Sequence, residues 1–162
     1  MERALLIVWH SRTGGTQAMV GASLEAAREY GPATALRAED AGAAEMAAAG
    51  GLLFACPENL GTMSGAMKEF FDRTYYPLLG RIEGKPYAAM FCAGTDGEGA
   101  SRQLARIALG WRLKKAAEPL IVKTGAQSPE EIAAAKSIGA TDLDRCRELG
   151  ALLSAGIAMG IF

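Results

Sequence analysis

Ser11, Arg12, Thr13, Gly14, Gly15 and Thr16 form one run between an apolar stretch, residues 4–9, and the start of a helical pattern. The hydroxyls of Ser11, Thr13 and Thr16 can donate to an anion, the two glycines let backbone approach it, and the helix start behind them offers free N–H groups. A terminal phosphate monoester suits such a loop. The same residues would also serve as an ordinary strand-to-helix turn with Ser or Thr as the N-cap. Two other phosphate-binding arrangements fail on residues, since the chain has no GxxxxGK and no GxGxxG follows the first apolar run. A receiver domain is disfavoured because Trp9 and His10 stand where an acidic pair would hold its metal.

The elements that must position this loop repeat along the chain. Apolar runs of strand length recur at residues 4–9, 51–56, 87–92 and 120–122, each followed by turn residues and a helical pattern. This alternation predicts a parallel sheet covered by helices. Residues 34–37 supply a fifth, less apolar strand, expected at an edge. On the first helix, Met19, Ala22, Ala26 and Tyr30 fall on one side, and Gly31-Pro32 ends it. Leu104, Ile107, Ala108 and Trp111 mark a second amphipathic helix, with Trp111 facing either the core or another subunit. Ser128-Pro129-Glu130-Glu131 predicts a helix start that runs to about Gly139, and Thr141-Asp142 starts the last helix, with Leu143, Cys146, Leu149 and Leu153 inward. The fold expected from this alternation is an α/β sandwich, helices on both faces of a parallel sheet, in one domain spanning residues 1–162.

In open parallel sheets ligands bind beyond the carboxyl ends of the strands. The loop after the third strand reads Pro57, Glu58, Asn59, Leu60, Gly61, Thr62, Met63, then Ser64-Gly65-Ala66-Met67-Lys68-Glu69-Phe70-Phe71-Asp72-Arg73. Ser11-x-Thr13-Gly14-x-Thr16 resembles the phosphate loop of flavodoxins and of FMN-dependent NAD(P)H reductases. The second loop is similar to the reductases' segment of Pro, a short Gly-bearing loop, Ser-Gly and a helix with Lys, Phe and Asp-Arg, and residues 61–68 also resemble WrbA-type quinone reductases. The resemblance implies a flavodoxin-like α/β three-layer sandwich with a five-stranded parallel sheet of order 2-1-3-4-5, and bound FMN, with NAD(P)H as co-substrate and a quinone, flavin or other small molecule as electron acceptor. It implies cofactor contacts from both loops and from a third, Gly94, Thr95, Asp96 and Gly97. Beside a flavin ring, Asn59, Thr62 and nearby backbone would donate to the polar edge, while Leu60 and Met63 pack on the face. Residues 57–64 and 94–99, the loops proper, contain no Trp, Tyr or Phe, so one ring face is expected to be open. The alternative function is a flavodoxin-like electron carrier without nicotinamide activity of its own.

Several residues carry plainer expectations. Ser64 is equally an N-cap, Lys68, Asp72 and Arg73 read as a helical ion-pair face, and Asp96 and Glu98 as solvated loop charges. His10, the sole histidine, is expected to be structural, and no catalytic acid, base or metal ligand is assigned. Cys56, Cys92 and Cys146 show neither paired metal spacing nor CxxC, which points to a reducing compartment. A formal net charge of −1 argues against nucleic-acid binding, which needs surplus Lys and Arg. The opening Met1-Glu2-Arg3 and its short apolar run lack the length and cleavage site of a signal peptide, and residues 150–162 are too short to span a bilayer, so a cytoplasmic protein is expected. Its partner would be the small-molecule acceptor, with no membrane span; a homodimer or homotetramer is compatible with the sequence.

Overall fold

Strand β1 (Leu5–Trp9) is apolar over most of its length and is an inner strand of the sheet, paired in parallel with β2 (Ala33–Arg37) on one side and β3 (Gly51–Asn59) on the other. The computed structural model describes residues 3–162; Met1 and Glu2, which belong to the predicted opening segment, lie outside the described residues. β3 pairs in parallel with β5 (Pro86–Ala93), whose eight residues are all buried, as a strand covered on both faces requires. β5 then pairs with β6 (Lys114–Lys115) at its start and β7 (Leu120–Lys123) at its end. The sheet order is therefore the expected one, with β2 at the edge and the fifth position divided between two short strands. The chain leaves the sheet at 116–119, where Pro119 has no N–H for the ladder. A further two-residue strand, β4 (Thr62–Met63), folds back antiparallel on β3.

Period-two alternation in the strands splits the core into two layers. Leu5, Ile7, Leu53, Ala55, Ala88, Met90 and Cys92 face the helices α1 (Gly15–Ala27) and α6 (Ala140–Met159). Leu6, Val8, Leu52, Phe54, Cys56, Tyr87 and Phe91 face α3 (Gly65–Leu78) and α4 (Glu98–Gly110). Phe54, Phe71, Tyr75 and Trp111 form a chain of aromatic contacts there, with centroids 5.1 to 5.7 Å apart. Trp111 is 1% exposed and its indole N–H donates to Tyr75 O at 2.9 Å. It is a core residue, not a subunit contact.

Two expectations are corrected, and one element was not foreseen. Tyr30 lies past the end of α1, in a turn, and is 54% exposed. A short helix α2 (Ala43–Ala48) precedes β3; its alanines give no periodic signal, and only Met46 is buried. The helix after Ser128, α5 (Pro129–Ala133), ends five residues in, because Ala134 turns extended (ψ 147° belongs to the comparable end of α2, 152° here) and the chain crosses to the first loop. Its start is as read, with Ser128 Oγ accepting from Glu131 N at 3.1 Å.

The approach of α6 to α1 fixes where the first loop points. A Cβ on Gly150 would lie 2.8 Å from the carbonyl carbon and 2.9 Å from the Cα of Ser23. Beside it, Ser23 Oγ donates to Cys146 O at 2.8 Å in the interior. Gly150→Ala would gain about 1 kcal/mol in helix propensity, but backbone cannot yield as a side chain tip can, and overpacking costs about 1–3 kcal/mol. We expect a net loss of stability, read as a lower urea midpoint with an unchanged slope; a raised midpoint would show that α6 can shift freely.

Candidate functional site

The turn from β1 into α1 leaves donors without acceptors. Gly14 takes the N-cap position at φ 95°, in the left-handed region that glycine tolerates, and no side chain caps the helix. Ser11 Oγ accepts from Gly14 N at 3.1 Å, so it shapes the turn before the helix and does not cap α1. The first N–H groups of α1 have no intrahelical acceptor. Beside them Thr16 is 1% exposed, and its Oγ1 is buried with no hydrogen-bond partner among the described residues. An unsatisfied buried hydroxyl costs about 1–3 kcal/mol. Gly15 closes the floor, since a Cβ there would meet Cys92 Sγ at 2.6 Å. An orphaned hydroxyl, an uncapped helix start and close backbone fit a phosphate monoester.

The second predicted loop is a hairpin. β3 continues through Pro57, Glu58 and Asn59, and Leu60 and Gly61 make the turn at φ 54° and 75°, both left-handed. Two-residue hairpins favour that geometry, but leucine rarely occupies it. Leu60 projects fully into solvent (102% exposed). Met63 does the opposite: at 3% exposure it sits in the core, and its amide donates to Gln103 Oε1 at 2.8 Å. The structure thus removes Met63 from the ring-facing set and leaves Leu60 as the apolar side chain available there. Thr62 Oγ1 donates within the hairpin to Met63 O at 3.0 Å, and Asn59 is half-buried at its base.

Glu58 joins the second loop to the third. Its two carboxylate oxygens accept from Gly97 N at 2.8 Å and Ala100 N at 3.0 Å, capping α4 and favoured by the helix dipole. Gly97 is the N-cap of α4 at φ 96°, and Asp96 Oδ1 accepts from Glu98 N at 3.3 Å. Gly94 is half-buried, and a Cβ there would collide with Ala126 O, while Thr95 and Asp96 are exposed. Pro57 O accepts from Ser64 N at 3.1 Å. The Ser64 hydroxyl does not cap α3; it shares a hydrogen bond with His10 Nδ1 at 2.8 Å, tying the first loop to the second. Arg12 is exposed. Lys68 pairs with Asp72 at 2.6 Å as read, whereas Arg73 also donates to Ala38 O and Ala41 O, pinning the chain after β2.

Sequence reasoning missed the residues that reach the site from far along the chain. The segment after α5 crosses the first loop, with Lys136 N donating to Thr13 O at 2.9 Å and Lys136 Nζ lying 3.3 Å from Thr13 Oγ1. No local signal marks these contacts; the spacing of Gln103 on α4 was the only available hint for its bond to Met63.

Burial sets the titration of the nearby groups. It pushes the Cys56 thiol up to about 12 and Cys146 to about 11, and raises Cys92 as well, so the three free cysteines stay protonated near neutrality.

These arrangements define a flavodoxin-like fold with an uncapped helix start and an orphaned buried hydroxyl at the carboxyl end of β1. Residues 23–119, more than half of the chain, match the family described as NADPH-dependent FMN reductase, and the chain belongs to that family of FMN-binding proteins. A curated relative, a flavodoxin of Aquifex aeolicus, is 34% identical over 97 residues; the match covers 59% of this chain and about half (52%) of that relative's length. An archaeal flavodoxin structure superposes with a TM-score of 0.76 at 19% identity, covering 95% of this chain and 98% of that one. A WrbA-like flavodoxin structure from Agrobacterium tumefaciens gives 0.72 at 22% identity, covering 97% and 98%. Among the described residues, no helix is long and apolar enough to cross a membrane.

His10 provides a direct check on the geometry. Burial lowers its pKa below 6.5, with Arg12 and Arg37 adding to the shift and Glu39 opposing it. The folded state then binds fewer protons than the unfolded chain between the two pKa values, so stability falls as pH drops through 6.5 toward the folded value. NMR of the single imidazole should give a midpoint below 6.5; a midpoint at or above it would place the ring in water or beside a stronger acid.

Proposed function

We propose that the chain is an FMN-dependent NAD(P)H oxidoreductase that passes electrons from a nicotinamide nucleotide to a quinone, flavin or other small acceptor. When bound, FMN supplies the redox chemistry. The protein's residues supply position. Thr13 and Thr16 hydroxyls and the first amides of α1 would hold the phosphate, with Ser11 and Gly14 shaping the turn and Gly15 letting the backbone close in. The hairpin, from Pro57 to Thr62, and Gly94, Thr95, Asp96 and Gly97 would border the ring, with Asn59 and backbone groups as polar contacts and Leu60 as the apolar one. Glu58 contributes by fixing the third loop to the second. No protein acid or base is assigned, because orientation is the contribution this site can make.

The observation that carries the enzyme reading is that these two bordering loops hold no aromatic side chain. A nicotinamide must lie against the ring at roughly 3–3.5 Å to react, and an aromatic stacked there would exclude it. The match to the reductase family supports the same reading. The named flavodoxin relative favours a second one, an electron carrier that docks to a separate reductase.

Two experiments test this. Thr16→Val keeps shape and removes the buried hydroxyl, so FMN binding should weaken about tenfold to a hundredfold, following about 1.5–3 kcal/mol for a hydrogen bond to a charged group, while riboflavin binding holds. Equal loss of both ligands would assign Thr16 to the fold alone. In the second, FMN should copurify, and anaerobic NADH or NADPH should abolish its visible absorbance at a rate that saturates with nucleotide. Flavin that stays oxidised under both nucleotides but accepts electrons from a ferredoxin reductase would establish the carrier reading.

A further inference from the structure

We propose that Lys136 is the cation of the phosphate site, carried over it by a strap formed by residues 128–138. The inference rests on the FMN reading and concerns how the charge of the phosphate is met. The strap is anchored to the loop by main chain, through Lys136 N to Thr13 O at 2.9 Å, and by side-chain packing: a Cβ on Gly15 would lie 3.3 Å from Lys136 Cβ and 3.5 Å from Ile138 Cδ1. Lys136 is half-buried, and its Nζ donates to Ile132 O at 2.8 Å and Ala134 O at 2.6 Å, which aims the ammonium. Its third direction leads to Thr13 Oγ1 at 3.3 Å. A Thr13 hydroxyl that accepts from an ammonium turns its own proton outward, as a donor to an anion.

The orphaned Thr16 Oγ1 makes this a site and not merely a helix start beside a lysine. Ser11, Thr13, Thr16 and the amides of α1 are all neutral. A dianion held by neutral donors alone leaves its charge uncompensated, and a cation one hydroxyl away offsets that charge where water is partly excluded. Arg12 is the competing cation; it is exposed and, among the described residues, no hydrogen bond or ion pair orients its guanidinium. The geometry therefore favours Lys136.

The test compares FMN, riboflavin and inorganic phosphate on the apoprotein by fluorescence titration and thermal shift, in the wild type and in Lys136→Gln, Lys136→Arg and Arg12→Gln. We expect Lys136→Gln to weaken FMN about tenfold or more, where 1.4 kcal/mol is tenfold, to flatten the dependence of FMN affinity on salt, and to spare riboflavin. Lys136→Arg should restore much of the loss, and Arg12→Gln should have the smaller effect. Unchanged FMN affinity in Lys136→Gln, or parallel loss of riboflavin, which a merely structural strap would cause, overturns the inference while leaving FMN binding intact. A wild type that ignores FMN but takes up phosphate through Lys136 overturns the cofactor reading alone, and one that binds neither overturns both.

Discussion

A parallel strand entering a helix leaves the first amides of that helix pointing beyond the sheet, and here no group among the described residues accepts from them. Gly14, at φ 95°, is the N-cap of α1 and carries no side chain to answer those amides, and Thr16 adds a buried hydroxyl with no partner. The rest of the molecule holds that unsatisfied turn in place. α6 packs on α1 closely enough to require glycine at 150, and Cys92 of the fully buried β5 and Lys136 of the strap both crowd Gly15. A fold that leaves buried donors unpaired has lowered stability at that point, and a bound anion is the simplest means by which it is regained.

Four segments meet at the carboxyl end of the sheet, and they are linked to one another by few, specific bonds. His10 with Ser64 joins the first loop to the second, Glu58 with Gly97 and Ala100 joins the second to the third, Gly125 N with Gly94 O joins the third to the turn that leads from β7 into the strap, and Lys136 with Thr13 returns to the first. The ring of contacts makes each loop's position depend on its neighbours, so side chains that never touch a ligand still set its geometry. Leu60 is the exception. It is held in a left-handed conformation yet fully exposed, so its strain is not offset by burial; in the proposed site, contact with the ring would supply that burial.

What could be read from the sequence was what is local. Ser11, Thr13, Gly14 and Thr16 are close in the chain and precede a periodic helix, so their chemistry follows from spacing and the parallel sheet from alternation, whereas the strand order came with the family resemblance. The hairpin was missed because leucine at a positive φ is no turn signal and because Pro57 interrupts an otherwise continuous strand. The inward turn of Met63 depends on Gln103 and the core beneath, which no spacing within the loop reveals. The 128–138 segment carried a true N-cap at Ser128, but where a helix stops depends on what the chain meets next, and here that is Thr13, more than a hundred residues earlier. The fifth strand was divided for a similar reason: Lys114 and Lys115 pair with β5 although their composition gives no strand signal.

Phosphorus NMR of the FMN-loaded protein tests the central claim most directly. A free phosphate monoester takes up its second proton near pH 6, and its resonance moves as it does so. Enclosed by Thr13, Thr16 and the α1 amides, the phosphate should keep one displaced resonance that does not move between about pH 5 and 8. A bound-state resonance that titrates like free FMN would put the phosphate in solvent and contradict the account.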